Sequence, residues 1–332
     1  MKFINLKNKK IKDNLIKRNT KIGIIGYGIQ GRACALNLRD SKFKVYIHQR
    51  KDKYLADLKK DKFKNYDLEF LVNSCEVLII LVPDATHKFI CDKINRLIKK
   101  DKKLIVLPSG FACTFENLKN SKKSNYFLVS PRYPGQVLRQ NYLRKKPTIG
   151  FYGYEGKPSN YAQKKILLIA KNWGMQNLFF TSMKEEARID LFIENFLIPR
   201  IMGTIEETFN AMTRQGIQKH IAMIEAYQSG EIIGLFKKGL QMGMYKSFHS
   251  QTSPTCQFGV SDKYKMINKS AKIHSKKILT EINNGLFYKK LNRQMKNNYK
   301  DKDKFNKKKL LSVFAKTQQQ LIKFLNQKKI TL

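Results

Sequence analysis

Residues Lys21 to Asp40 read KIGIIGYGIQGRACALNLRD. Ile22 to Ile25 form a short apolar run, the mark of a buried strand. The run enters Gly26-Tyr27-Gly28-Ile29-Gln30-Gly31, a G-x-G-x-x-G, and an Ala/Leu-rich segment follows with helical character. Strand, glycine turn and helix in that order give the motif its meaning. The first glycine permits the tight turn, the second lets backbone approach a pyrophosphate, and the third lets the helix pack on the strand. The helix N-terminus then offers free N–H groups to phosphates. The stretch predicts dinucleotide binding by Gly26, Tyr27, Gly28, Ile29, Gln30 and Gly31.

Further apolar runs follow at intervals. Lys44–His48 reads as a second strand, Val77–Val82 (VLIILV) as a third, Leu104–Leu107 as a fourth and Phe127–Ser130 as a fifth. Thr148–Tyr152 adds another strand and Ala162–Trp173 a helix. Such runs, alternating with helical segments, indicate a Rossmann-type, doubly wound parallel sheet with helices on both faces. Strands three to five each end in Pro, Gly or small polar residues: Pro83-Asp84-Ala85-Thr86, Pro108-Ser109-Gly110-Phe111 and Pro131-Arg132-Tyr133-Pro134-Gly135. The carboxyl edge of such a sheet is where ligands bind, so Pro83, Asp84 and Gly135 join the expected cofactor site. After the second strand comes Gln49-Arg50-Lys51-Asp52-Lys53. A carboxylate there would bond a free ribose 2′-hydroxyl, whereas Arg50, Lys51 and Lys53 suit a 2′-phosphate. The expected cofactor is NADPH. From about residue 183 helical periodicity takes over. The expected domains are therefore 1–180, an α/β nucleotide-binding domain, and 181–332, an all-helical one. The lysine-rich last seventy residues keep Ile278, Ile282 and Leu286 at helical spacing.

The chain has 332 residues, 42% of them hydrophobic, and a formal net charge of +41. The basic charge is spread along the whole chain rather than gathered in one tail or stripe. It reads as lysine-loaded solvated surface and argues against nucleic acid as the partner. The first twenty residues are a basic lead-in with no apolar core of a secretory signal, and no apolar run is long enough to span a bilayer. The five cysteines contain no C-x-x-C pair and are odd in number, which predicts reduced thiols in a cytoplasmic protein.

In the second part, Asp190 and Glu194 stand four apart and share one helix face, a pair of hard oxygen ligands of the kind that suits Mg²⁺. Here the whole chain resembles a known family. GYGIQGRACALNLRDS is similar to the G-Y-G-S-Q-G-x-A-x-A-L-N-L-R-D-S of ketol-acid reductoisomerases, also called acetohydroxy-acid isomeroreductases. LVPDATH resembles their L-x-P-D-E-x-Q, and SGFACTF lies where they have H-G-F-N-I. SPRYPGQVLRQNY resembles A-P-K-x-P-G-x-x-V-R-x-x-Y, EEARIDLFIENFLI resembles E-x-x-x-D-L-F-G-E-Q, and ILTEINNGLFYKK resembles I-x-x-G-x-F-A. The segments occur in the family's order over nearly the whole chain, whose length fits the short form.

The resemblance implies a fold, a knotted helical second domain, and a reaction. Mg²⁺ polarises a 2-acetolactate-type substrate, an alkyl group migrates, and NADPH reduces the new ketone to a 2,3-dihydroxy acid of valine and isoleucine synthesis. It also implies a homo-oligomer, a dimer or larger. Asp190 and Glu194 match the first metal pair. Glu225 matches the first member of the second pair, and Ser229 takes the place of its partner, with Glu231 out of helical phase. Catalytic positions hold Ser109 where the family has histidine and Arg132 where it has lysine. Serine is no acid or base near neutral pH, and arginine keeps its proton. Ser253 matches a serine on the substrate side. An alternative reading is a relative that only reduces another 2-keto acid, or a non-enzymatic basic nucleotide-binding protein.

Overall fold

In a computed structural model, residues 3–6 and 19–328 are described, so most of the basic lead-in lies outside the described residues. The apolar runs become strands buried on both faces. The strands are β1 (Phe3–Asn5), β2 (Lys21–Ile25), β3 (Lys44–His48), β4 (Val77–Ile80), β5 (Lys103–Leu107), β6 (Ser124–Pro131), β7 (Ile149–Tyr154) and β8 (Asn177–Phe180). They form one sheet in the order β1-β8-β7-β6-β5-β4-β2-β3. Successive side chains enter opposite layers. Ile22, Ile24, Val77, Ile79 and Val106 pack with Cys34, Ala35 and Leu38 of the helix Ile29–Asp40. Ile25, Leu78, Ile80, Ile105 and Leu107 pack with Leu71, Cys91 and Ile94 of the helices on the other side. That two-sided burial is why the runs are continuous rather than alternating.

The expectation of a parallel sheet holds for β3, β2, β4, β5 and β6 and fails beyond them. β7 runs antiparallel to β6, with Phe127 opposite Tyr154 and Pro131 opposite Gly150, and β1 runs antiparallel to β8. The reason is the connection after β6. It holds the nine-residue helix Gly135–Leu143, which packs beside Ile29–Asp40 at the carboxyl edge. A parallel strand would require a crossover back along the eight residues of β6. β8 and β1 had no sequence signal: NLFF and FIN are too short and too variably buried to register. The helix Asn160–Trp173 is capped by Ser159, whose Oγ accepts from Ala162 N at 3.2 Å, and buries Ile166, Leu168, Ile169 and Trp173.

The chain divides into two compact units, Met1–Ile189 and Asp190–Leu332. The second is helical throughout its described residues: Ile198–Arg214, Lys219–Met223, Glu231–Met242, Met244–Gln251, Pro254–Asn283, Leu286–Lys296, Lys300–Leu310 and Val313–Gln327. Gly285, with φ 76°, ends the long helix between Ile282 and Leu286, so the expected periodicity there spans two helices. The core of this unit is small: Phe209, Ala222, Met223, Ala226 and Leu321, with the Phe209 and Phe314 rings 5.4 Å apart. No helix among the described residues is long and apolar enough to cross a membrane.

Candidate active site and nucleotide turn

Gly26 has φ 101°, and a Cβ there would lie 2.5 Å from the Leu81 carbonyl oxygen. Only glycine turns the chain in that space. A Cβ on Gly31 would overlap the Gly26 carbonyl, so this glycine seats the helix on its strand. Gly28 differs. A Cβ there would meet only the edge of Tyr54 at 3.9 Å, and the turn is open above it. No side chain caps the N-terminus of Ile29–Asp40, and its first turn carries no acid. An uncapped helix start with open space before it is where a pyrophosphate fits.

The side chains around this turn divide the expected cofactor set. Tyr27 is wholly buried, so its ring lies beneath the turn and only its backbone can meet a ligand. Gln30 donates from Nε2 to the Tyr133 carbonyl at 2.8 Å, tying the turn to the loop after β6. Gly135 packs against the Ile29 carbonyl, a helix contact. Arg50, Lys51 and Lys53 are exposed; Arg50 Nε lies 3.2 Å from Asp52, and Lys53 Nζ sits over the Tyr54 ring. Pro83 is exposed, and its carbonyl accepts from Thr86 N at 2.8 Å. Asp84 lies 3.6 Å from Nε2 of His87, a fully buried histidine whose Nε2 is 2.9 Å from the Val82 carbonyl. Burial pushes the His87 pKa down, against the pull of Asp84.

At the carboxyl ends of β5 and β6 the structure assembles a second cluster around Glu186, which is fully buried. Its carboxylate accepts from Gly110 N at 2.7 Å, Ser130 Oγ at 2.9 Å and Arg132 Nη2 at 3.2 Å. Arg132 also lies 4.8 Å above the Phe151 ring and keeps 29% of its side chain exposed. A cation fixed by a buried carboxylate and partly open to solvent can hold an anionic substrate group. Ser109 is buried, and its Oγ accepts from Phe111 N at 3.2 Å, just ahead of the short helix Phe111–Phe115. Glu186 was absent from the expected site. Its signal lay in helix phase: with Met183 and Ala187 buried beside it, a carboxylate occupies the apolar stripe of Met183–Phe192.

In the second unit, Asp190 is half-buried and Glu194 exposed. Glu194 sits in a π-turn, Ile193–Leu197, and Glu225 in another, Ile224–Gln228. Ser229 N closes the second on the Ile224 carbonyl at 3.0 Å, while the Ser229 hydroxyl is exposed. The oxygen donors suit Mg²⁺ in kind. Among the described residues, no three His, Cys, Asp or Glu side chains are grouped to hold a metal. Ser253 caps the long helix Pro254–Asn283, its Oγ accepting from Cys256 N at 3.3 Å.

Residues 16–178 match the family model of the acetohydroxy acid isomeroreductase NADPH-binding domain, and residues 183–327 that of the ketol-acid reductoisomerase C-terminal domain. The chain belongs to the ketol-acid reductoisomerase family. The NADP(+) enzyme of Helicobacter pylori is 30% identical over 279 residues, covering 82% of this chain and 83% of that one. The NADP(+) enzyme of Sulfurisphaera tokodaii is 28% identical over 278 residues, covering 81% and 82%. In fold, the chain is similar to an NADH-preferring ketol-acid reductoisomerase from an uncultured archean. That match has a TM-score of 0.88 at 21% identity, over 97% of this chain and 99% of that one. A pyrroline carboxylate reductase of Plasmodium falciparum, with NADP bound, shares the fold more distantly, at a TM-score of 0.52 and 14% identity over 79% and 97% of the chains.

Proposed function

We propose that this chain is an NADPH- and Mg²⁺-dependent ketol-acid reductoisomerase acting on 2-acetolactate or 2-aceto-2-hydroxybutyrate. What carries the reading is that both parts of the chain match the two domains of one enzyme, in order. In the reaction the C2 alkyl group moves to C3, whose carbonyl oxygen becomes a hydroxyl with the proton that the C2 hydroxyl gives up; C2 becomes the new ketone, which hydride and a solvent proton then reduce to the alcohol. NADPH, when bound, supplies the hydride, and Mg²⁺ supplies Lewis acidity to the substrate oxygens.

The chain's own groups bind and orient. The open turn over Gly28 and the uncapped helix start take the pyrophosphate, and Arg50, Lys51 and Lys53 attract the 2′-phosphate. Arg132, held by Glu186 and Ser130, anchors a substrate carboxylate as a permanent cation. Asp190 and Glu194 supply metal oxygens, with Glu225 contributing from the second π-turn and Ser229 from the residue after it. The protein assembles as a homo-oligomer. Support comes from the exposed apolar side chains of the second unit, among them Phe236 (54% exposed), Leu240 (89%) and Phe258 (70%). A cytoplasmic location goes with five cysteines that are all free.

A second reading, reduction without isomerisation, draws on Ser109, whose buried hydroxyl accepts from Phe111 N and cannot exchange a proton as histidine does. An assay with 2-acetolactate, NADPH and Mg²⁺ separates the two. The dihydroxy acid is expected, with Asp190→Asn lowering Mg²⁺-dependent turnover at least about 100-fold while NADPH affinity holds. Reduction of the rearranged ketone without turnover of 2-acetolactate establishes the second reading instead. Unchanged turnover in Asp190→Asn removes it as a ligand.

A further inference from the structure

Tyr27 stands between the first two glycines of the nucleotide turn and is gripped at both ends. Its backbone N–H donates to Gln49 Oε1 at 2.5 Å. Gln49 is itself held by Asp52, Nε2 lying 2.8 Å from each carboxylate oxygen, and Asp52 also accepts from Tyr54 N at 3.0 Å. At the other end the Tyr27 hydroxyl donates to Asp61 Oδ2 at 2.8 Å. Asp61 takes two more donors from Arg32, Nε at 2.6 Å and Nη2 at 3.1 Å, and only 13% of its side chain is exposed. Arg32 follows the third glycine directly. Asp52 and Asp61 therefore bracket one short helix, Tyr54–Lys60; Asp61 reaches the glycine turn directly and Asp52 through Gln49.

The segment after that helix is shaped to make the contact. Lys62 adopts φ 60°, and Phe63 N returns to the Leu58 carbonyl at 3.1 Å, a left-handed helix end. The reversal puts Asp61 under the turn and the Phe63 ring 5.7 Å from that of Tyr27. Burial, followed by the bond to Asp61, pushes the Tyr27 phenol pKa up. Burial alone would raise that of Asp61, but Arg32 first and Tyr27 second outweigh it and hold the carboxyl below its usual range. The pair is thus a neutral phenol donating to a carboxylate.

We propose that Asp61 is a positioning residue for NADPH, fixing the glycine turn from beneath through the Tyr27 hydroxyl and Arg32. It touches neither cofactor nor substrate. Its carboxylate ties together the two groups that flank the pyrophosphate seat, and the same short helix carries Asp52 at its other end. Asp52 is the one acid among Gln49 to Lys53, and its oxygens are taken up by Gln49, Tyr54 and the exposed Arg50. The binding surface for the adenosine half of the cofactor is then braced by these two carboxylates. The inference rests on the assignment of the turn as the NADPH site.

The test uses the full-length protein with Tyr27→Phe, Asp61→Asn and the double variant, each measured for NADPH binding and for steady-state turnover. Each single variant is expected to raise Kd and KM for NADPH about five-fold, about one hydrogen bond's worth, with kcat within about two-fold. The double variant should be no worse than the poorer single, because both remove the same contact. Asp61→Glu, which keeps a carboxylate, should recover part of the affinity. If Asp61 acts only as a negative charge near an anionic cofactor, Asp61→Asn tightens NADPH, and that result overturns the proposal. Unchanged KM in Tyr27→Phe, or a loss of kcat at constant KM, overturns it as well. Should Asp61→Asn not fold, Tyr27→Phe decides alone, since it removes one oxygen and no charge. Failure of the unaltered protein to bind NADPH would instead remove the reading of the turn itself, and the inference with it.

Discussion

Glu186 is a carboxylate without access to water, and three donors compensate for it. Removing it leaves Arg132 short of its buried partner and the Gly110 N–H without an acceptor. Glu186→Ala is expected to cost about 3–5 kcal/mol of stability, read by chemical denaturation, and to abolish turnover. A loss below about 1 kcal/mol would show that the cluster relaxes into solvent. His87 carries a pH dependence. Its folded pKa lies below the ordinary value of 6.5, so the unfolded chain binds the proton more readily. Its contribution is complete above about pH 6.5 and is lost as pH falls toward the folded value. The melting temperature should therefore drop between about pH 7 and about pH 5.5, and less so in His87→Gln, which keeps a donor for the Val82 carbonyl. Equal pH slopes in the two proteins would place the titration elsewhere. Ser109 and Arg132 were legible as substitutions in a known pattern. That Ser109 accepts from the Phe111 N–H, and that Glu186 fixes Arg132, depended on which atoms the fold brings within reach.

At the scale of elements, the two π-turns are the main departure from what periodicity predicts. Apolar spacing reports a helix but does not resolve one extra residue in a turn. In the first π-turn, Asn195 Nδ2 donates to the Leu191 carbonyl at 2.8 Å, bracing the wider turn against the preceding helix. Asn195→Ala removes that brace and lets the turn relax toward α geometry, moving Glu194 relative to Asp190. The Mg²⁺ concentration for half-maximal turnover is expected to rise about three- to ten-fold, with KM for NADPH unaltered. No change in Mg²⁺ dependence would separate the turn from the metal. The reversal at β7 has the same character. The segment Thr148–Tyr152 announces a strand, but its direction is set by the short, helix-bearing connection from Pro131.

On the scale of the whole molecule, the two units bury their sequences very differently. The α/β unit fills both faces of its sheet. The helical unit leaves Ile233, Phe236 and Leu240 on one helix more than a third exposed, with few buried side chains of its own. A second copy is the proposed cover. Phe236→Lys combined with Leu240→Lys should lower the mass measured by light scattering and reduce the helical signal on melting, because the unit's own core is too small to hold it. An unaltered mass would exclude this face from the interface. The charge of +41 works against close association of copies, so the assembly should tighten with added salt.

The glycine turn, six of the eight strands of the nucleotide-binding unit, the helical second part and the family membership were readable along the chain. They depend on local periodicity, on glycine's backbone freedom and on motif spacing, which are properties of neighbouring residues. The buried carboxylate Glu186, the grip of Asp61 and Gln49 on Tyr27, the reversal of β7 and the π-turns at Glu194 and Glu225 came only with the folded chain. Each joins groups from separate segments or shifts the phase within a helix, and burial and hydrogen-bond geometry in three dimensions decide both.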